Sequence, residues 1–136
     1  MSEISSAMAA AASGLRAQTV RMRITAENLA NAESTGDTPG ADPFRRRIPI
    51  LEPQTLADGV KGVLVTGAQD DQTAFKLSYN PGHPAADANG YVKMSNVNSL
   101  AEMMDLREAS RAYEANLNII DAARQMTSRA LDLLRR

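Results

Sequence analysis

The chain has 136 residues, a formal net charge of −1, 4% aromatic residues, no Trp and no Cys. Without Cys there is no disulfide, zinc-thiolate site or thiol nucleophile. The balanced charge gives no general pull toward nucleic acid, and no apolar run is long enough to cross a membrane as a helix. This length suits one domain, or a helical pair with a small second domain. The shortage of aromatics argues against a large independent core.

Residues 3–32 carry a helical pattern. Ile4, Met8, Ala11, Leu15, Met22 and Leu29 recur at steps of four and three, with Gln18 and Thr25 as polar interruptions in the same register. A seam of that period predicts an amphipathic helix that packs on other helices. Ser2 is placed to cap it and Glu3 to complement its dipole. Gly14 costs about 1 kcal/mol against Ala, and a small residue there permits close approach of another helix. Ala9 to Ala12 could suggest a secretory signal. However, Glu3 and the serines occupy the place of a positive n-region, and the seam runs straight through, so this stretch is read as mature helix.

Residues 33–94 have a different character. Ser34 to Gly40 is a cluster of helix breakers and reads as an exposed loop. Phe44 to Leu51 is extended, with Pro49 confining it to a sheet edge. Val63 to Thr66 and Phe75 to Tyr79 read as strands joined across residues 67–73 in a loose hairpin, with Asp70 and Asp71 at its solvated tip. In the second strand Phe75, Leu77 and Tyr79 alternate with polar residues. Asn80-Pro81-Gly82-His83-Pro84 forces a turn, Asp87 to Gly90 another, and Tyr91 to Met94 is extended. A small β subdomain is the most this stretch supports.

A second helical pattern runs from Leu100 to the C-terminus, about 37 residues or roughly 55 Å. Ser99 and Glu102 fit a capping box. Met103, Leu106, Tyr113, Leu117 and Ile120 form one stripe. Further on, the apolar positions drift to Ala123, Met126, Ala130, Leu133 and Leu134, which implies more than one buried face. Both helices are rich in Ala and Met. The expected fold is therefore mainly α: terminal helices paired as a coiled-coil-like stalk (1–32 and 95–136), with a hairpin-containing insertion (33–94) between them.

Chemistry-bearing residues are sparse. His83 is the only histidine and lies near Asp87, yet no nucleophile motif accompanies the pair. Asp70 and Asp71 lack any metal-ligand spacing, and no phosphate-binding glycine motif occurs. No enzyme, cofactor or metal is expected. Arg45-Arg46-Arg47 is the sharpest charge cluster. On an extended segment its side chains alternate faces, and it is read as an ion-pairing surface toward protein.

Asn28-Leu29-Ala30-Asn31-Ala32 at the end of the first helix, preceded by Ser13-Gly14-Leu15-Arg16-Ala17-Gln18 and Arg21-Met22, resembles the signature of the flagellar rod and hook axial proteins. The likeness is closest to the proximal-rod members. It extends through Phe44 to Arg47, Tyr79 to Asp87, Gly90-Tyr91-Val92, Asn96-Val97-Asn98, Glu102-Met103-Met104 and Ser110 to Asn116. Ser95 departs from the pattern, standing where the family usually has Pro.

The resemblance implies a structural subunit made in the cytoplasm and exported through the flagellar type III apparatus without a cleaved signal. It would assemble in the periplasm-spanning rod with other rod proteins and copies of itself, and help to transmit torque. Nucleic acid is not an expected partner. The expected subunit interface comprises Ile4, Met8, Leu15, Met22, Asn28, Leu29 and Asn31 on the first helix, Arg45, Arg46 and Arg47 in the middle, and Met103, Leu106, Tyr113, Leu117 and Ile120 on the last. The alternative is a cytoplasmic helical adaptor or export chaperone; a hydrolase built on His83 is a weaker rival.

Overall fold

The computed structural model describes residues 2–135. In chain order it contains α1 (Ser2–Ala30), β1 (Arg47–Thr55), a 3-10 turn (Ala57–Gly59), β2 (Lys61–Asp70), β3 (Lys76–Tyr79), β4 (Tyr91–Met94) and α2 (Ser99–Leu134). It is mainly α with two small two-stranded sheets, β1-β2 and β3-β4. α1 starts by Ser2, so Ser2 lies inside the helix; the position ahead of it is outside the described residues.

The strand pairing differs from the sequence expectation. β2 pairs with β1, not with β3. Its turn is closed by the Leu56 N–H donating to the Val60 carbonyl at 2.7 Å, with Asp58 (φ 64°) and Gly59 (φ 77°) in the left-handed region. Asp and Gly are the residues that tolerate this conformation, so Asp58-Gly59 was the hairpin signal in the sequence. β3 instead pairs antiparallel with β4, Tyr79 facing Tyr91 and Leu77 facing Lys93. The two tyrosine rings meet edge to face at 5.3 Å. Residues 67–73 are thus no hairpin connection. Asp71 turns the chain there by accepting from the Thr73 N–H at 2.9 Å and the Thr73 hydroxyl at 2.7 Å.

Two compact units divide the chain. The first holds the chain up to Met22, Ile50–Gly67 and the chain from Arg107. Within it α1 and α2 run antiparallel: Arg21 meets Glu108 at 3.7 Å, while Gly14, further back along α1, meets Asn116, further along α2. A Cβ added at Gly14 would lie 2.6 Å from Asn116 Nδ2, so this glycine marks close approach. The Ser13 hydroxyl donates to the Ala10 carbonyl and accepts the Val63 N–H, tying β2 to α1.

The second unit holds Arg23–Pro49 and Ala68–Leu106. Its core includes Ile24, Ala32, Ala85, Val92 and Val97, each buried. The expected Ser99–Glu102 capping box is not formed. Asn98 is the cap, its Oδ1 accepting the Ala101 N–H at 3.2 Å, and Glu102 is drawn inward. Ser95 is fully buried, and its hydroxyl accepts the Val97 N–H at 3.3 Å.

Candidate functional site

The polar residues of the second unit converge on Arg46. Its guanidinium Nε donates to Glu102 Oε1, Nη1 reaches Asp71 Oδ2 at 3.2 Å and Nη2 lies 3.6 Å from Asp105 Oδ2. The other oxygen of Glu102 accepts from Asn28 Nδ2 at 3.3 Å. Asn28 also grips the backbone of Arg47 from both sides: Nδ2 donates to the Arg47 carbonyl at 2.8 Å, and Oδ1 accepts the Arg47 N–H at 3.0 Å. Asn96 repeats the device one residue earlier, its Oδ1 accepting the Arg46 N–H at 2.7 Å and its Nδ2 donating to the Asp71 and Thr73 carbonyls. One knot therefore joins the last turns of α1, the approach to β1, the turn at Asp71 and the first turn of α2.

The knot is desolvated on its helical side, while Arg46 and Asp105 keep 23% and 40% of their side chains exposed. Asn28 and Glu102 are each 1% exposed. Among the described residues no buried side-chain nitrogen or oxygen lacks a partner, as a buried polar network requires. The Thr73 amide and hydroxyl, more than Arg46, hold the Asp71 carboxyl below its ordinary range. Burial by itself would lower the Arg46 pKa, but the hydrogen bonds and charges of Glu102 and Asp71 outweigh it and raise the value. Arg46 stays charged at any physiological pH.

Arg45 does not extend this cluster. Its guanidinium lies 4.1 Å from the centre of the Phe75 ring and donates to the Asp71 and Thr73 carbonyls. Arg45 and Arg46 thus make their contacts within the chain, and Arg47 is the exposed member of the triplet. His83 and Asp87 do not pair. His83 Nδ1 accepts the Ala85 N–H at 3.0 Å, while Asp87 Oδ1 accepts the Asn89 and Tyr91 N–H groups. Asn31 Nδ2 donates to the Glu27 carbonyl at the end of α1.

The helices present the second feature. Burial on α2 follows Glu102, Leu106, Ala109, Tyr113, Asn116, Ile120, Ala123, Thr127 and Ala130, strict steps of four and three. On α1 the buried residues are Ala11, Ser13, Gly14, Ala17, Ile24, Thr25 and Asn28, for the most part a row of small side chains. Ile4, Met8, Leu15, Met22 and Leu29 are half-buried beside it. Close approach admits only small side chains at the centre, so the row is almost invisible to a hydrophobicity pattern.

α2 has a further apolar row outside this seam. Ala115, Ile119, Ala122, Met126 and Leu133 follow the same heptad spacing and are exposed, Met126 to 54% and Leu133 to 70%. Ile119, Ala122, Ala123 and Met126 line a groove of about 350 Å³ with Ile4 and Ala7 of α1. Met103 and Leu117, expected at an interface, are exposed to 52% and 41%. Among the described residues no three His, Cys, Asp or Glu side chains are grouped to hold a metal ion.

Known proteins resemble this chain along nearly its whole length. Residues 88–133 match the family described as "Flagellar basal body rod FlgEFG protein C-terminal". The chain is 48% identical to the flagellar basal-body rod protein FlgC of Agrobacterium fabrum, covering 99% of this chain and 98% of the relative. It is 40% identical to FlgC of Salmonella typhimurium, covering 90% and 92%, and 37% identical to FlgC of Borreliella burgdorferi, covering 91% and 93%.

Proposed function

The chain belongs to the FlgC family of flagellar basal-body rod proteins, and on that premise we propose that it is a structural subunit of the proximal rod, acting by helix packing and not by catalysis. The observation that carries the reading is the exposed heptad row on α2. A row of this period fits another helix, and its alanines allow the backbones to come close. Contacts of that kind between one face and a different face of the next copy are heterologous and build an open helical assembly. A helical tube of such subunits would transmit torque.

In this reading segments 1–32 and 95–136 form a coiled-coil-like stalk, and 33–94 is its insertion. Met103 and Leu117, with the Ile119–Met126 row, meet neighbouring rod proteins or further copies. The half-buried Ile4, Met8, Leu15, Met22 and Leu29 complete the same surfaces, and Arg47 supplies a cation at the rim. The subunit is exported by the flagellar type III apparatus without cleavage and assembles in the periplasm. Family membership disfavours the cytoplasmic adaptor or chaperone, because the relatives named as rod proteins match along nearly their full length.

Basal bodies purified from a strain carrying a tagged copy test this directly. The tag is expected at the rod. Its absence from basal bodies, with the protein retained in the cytoplasm, would overturn the reading. Mass spectrometry of the assembled chain is expected to find residues 2–12 intact; a mature chain starting near Ser13 would mean a cleaved signal.

A further inference from the structure

We propose that the Asn28–Arg46–Glu102 knot is a register lock: it selects one pairing of the end of α1, the approach to β1 and the first turn of α2, and is not a source of net stability. The lock is a property of the single chain. Only its consequence for assembly rests on the rod reading above.

The first support is placement. Asn28 and Glu102 occupy inner-row positions of their helices, each 1% exposed. An apolar side chain would fill such a position without desolvating a carboxylate. Replacing a buried ionic group by apolar residues of similar volume is often neutral or stabilising, whereas removing one partner is strongly destabilising. A carboxylate buried on the inner row of α2 and paired with a half-buried cation from outside the helices has another use than adding stability, and the best-attested one is setting register.

The second support is that the rest of the seam discriminates poorly. The buried positions include Ala11, Gly14, Ala17, Ala109 and Ala123. Small side chains recurring along both helices look alike after a slide, so their packing alone leaves alternative registers close in energy.

The third support is stoichiometry. Asn28 must donate and accept at the Arg47 backbone while its second amide hydrogen meets Glu102. Asp has no donor and would face the Glu102 carboxylate. Leu has neither donor nor acceptor. A shift of one residue in the chain entering β1 reverses which side each peptide group faces. Asn28 would then lose both backbone bonds, and Arg46 would turn away from Glu102, leaving a buried carboxylate unpaired.

The test compares single and triple replacements in the full chain, followed by thermal unfolding and by amide resonances of isotope-labelled protein. Asn28→Leu and Glu102→Leu each strand a buried partner, and their Tm is expected to fall by roughly 10–20 °C. The triple Asn28→Leu/Arg46→Met/Glu102→Leu buries no unpaired charge but still strands the Arg47 N–H and carbonyl, so it is expected to recover at least half of the Tm lost by Glu102→Leu. Its amide signals for residues 24–30 and 99–106 should split into several sets, and it should fail to enter basal bodies.

A triple variant as unstable as the singles would make the knot an ordinary stabilising network and overturn the proposal. So would a triple variant with one set of signals, because apolar packing would then fix the register alone. A parent chain without a single set in these segments would also overturn it. Split signals in the triple, with the parent itself absent from basal bodies, would leave the lock standing and remove the rod reading.

Discussion

The two helices differ in what they leave uncovered. Among the described residues every exposed large apolar side chain on a helix belongs to α2, from Leu100 to Leu134, and none belongs to α1. Ile24 is buried, while Ile4, Met8, Leu15, Met22 and Leu29 are half-buried. α2 has one heptad row turned inward and a second turned outward. A single helical pair needs only one apolar row per helix. The second row on α2 therefore lies outside what this chain's own fold uses, and that asymmetry separates folding from association residue by residue.

Substitutions on the two rows of α2 should separate most sharply. Ala109 is 0% exposed, so Ala109→Asp buries an unpaired charge and should remove about 3–5 kcal/mol of stability. The chain is then expected to be degraded in cells and to lack a cooperative melt. Met126→Asp lies on the outer row and should leave the melt within about 0.5 kcal/mol of the parent. It should nonetheless abolish motility and rod incorporation. Equal loss of stability in both variants would erase the distinction between the rows.

Gly14→Leu tests the inner contact from the α1 side. The added side chain must displace Asn116, whose Nδ2 already lies 2.6 Å from the Cβ position. Overpacking of this kind costs about 1–3 kcal/mol. Asn116→Ala in the same chain should recover most of it, as a denaturant titration of the four variants of the cycle would show. Independent, additive losses would mean that the two residues are not coupled.

Acid should weaken the turn at Asp71. The folded pKa of Asp71 is depressed from an ordinary value of 3.8. Its contribution is therefore complete above that value and is lost as pH falls through the folded pKa. Asp71→Asn should be less stable than the parent at neutral pH, and the gap should narrow below about pH 4. A gap that widens on acidification would contradict the assigned hydrogen bonds to Thr73. The smallest effect belongs to His83, which accepts one backbone hydrogen bond. His83→Ala should cost about 0.5–1.5 kcal/mol, while His83→Gln should largely keep assembly. Full rods that lack an enzymatic activity in both variants would instead point to catalysis.

Much of this was legible in the residues. The heptad steps predict both long helices, the breakers at residues 34–40 predict where helix gives way to loop, and those at residues 80–84 predict the turn after β3. The strand partners were not legible in the same way. β3 alternates cleanly, but alternation says nothing about which strand lies beside it. Asp58-Gly59 is the signal for the turn that pairs β1 with β2, and the reading of a hairpin across residues 67–73 passes over it. The capping box failed for a similar reason. Ser99 and Glu102 have the right spacing, yet Asn98 stands one residue earlier and Arg46 and Asn28 compete for the glutamate.

By itself the sequence determined the helical periods, the absence of thiol chemistry and the motif order that relates the chain to rod proteins. These depend on residues close together in the chain, or on the identity of residues taken one at a time. Only the tertiary structure decided that Asn28, Arg46, Asp71, Asn96 and Glu102 share one knot. It also decided which row of α2 is left outward. Hydrogen bonds across long sequence separations leave no periodic trace, and a buried charge looks like any solvated one until its partners are in place. An inner row of Ala, Gly and Asn is likewise silent in hydrophobicity, because what qualifies those residues for the centre is their small size and their hydrogen bonds.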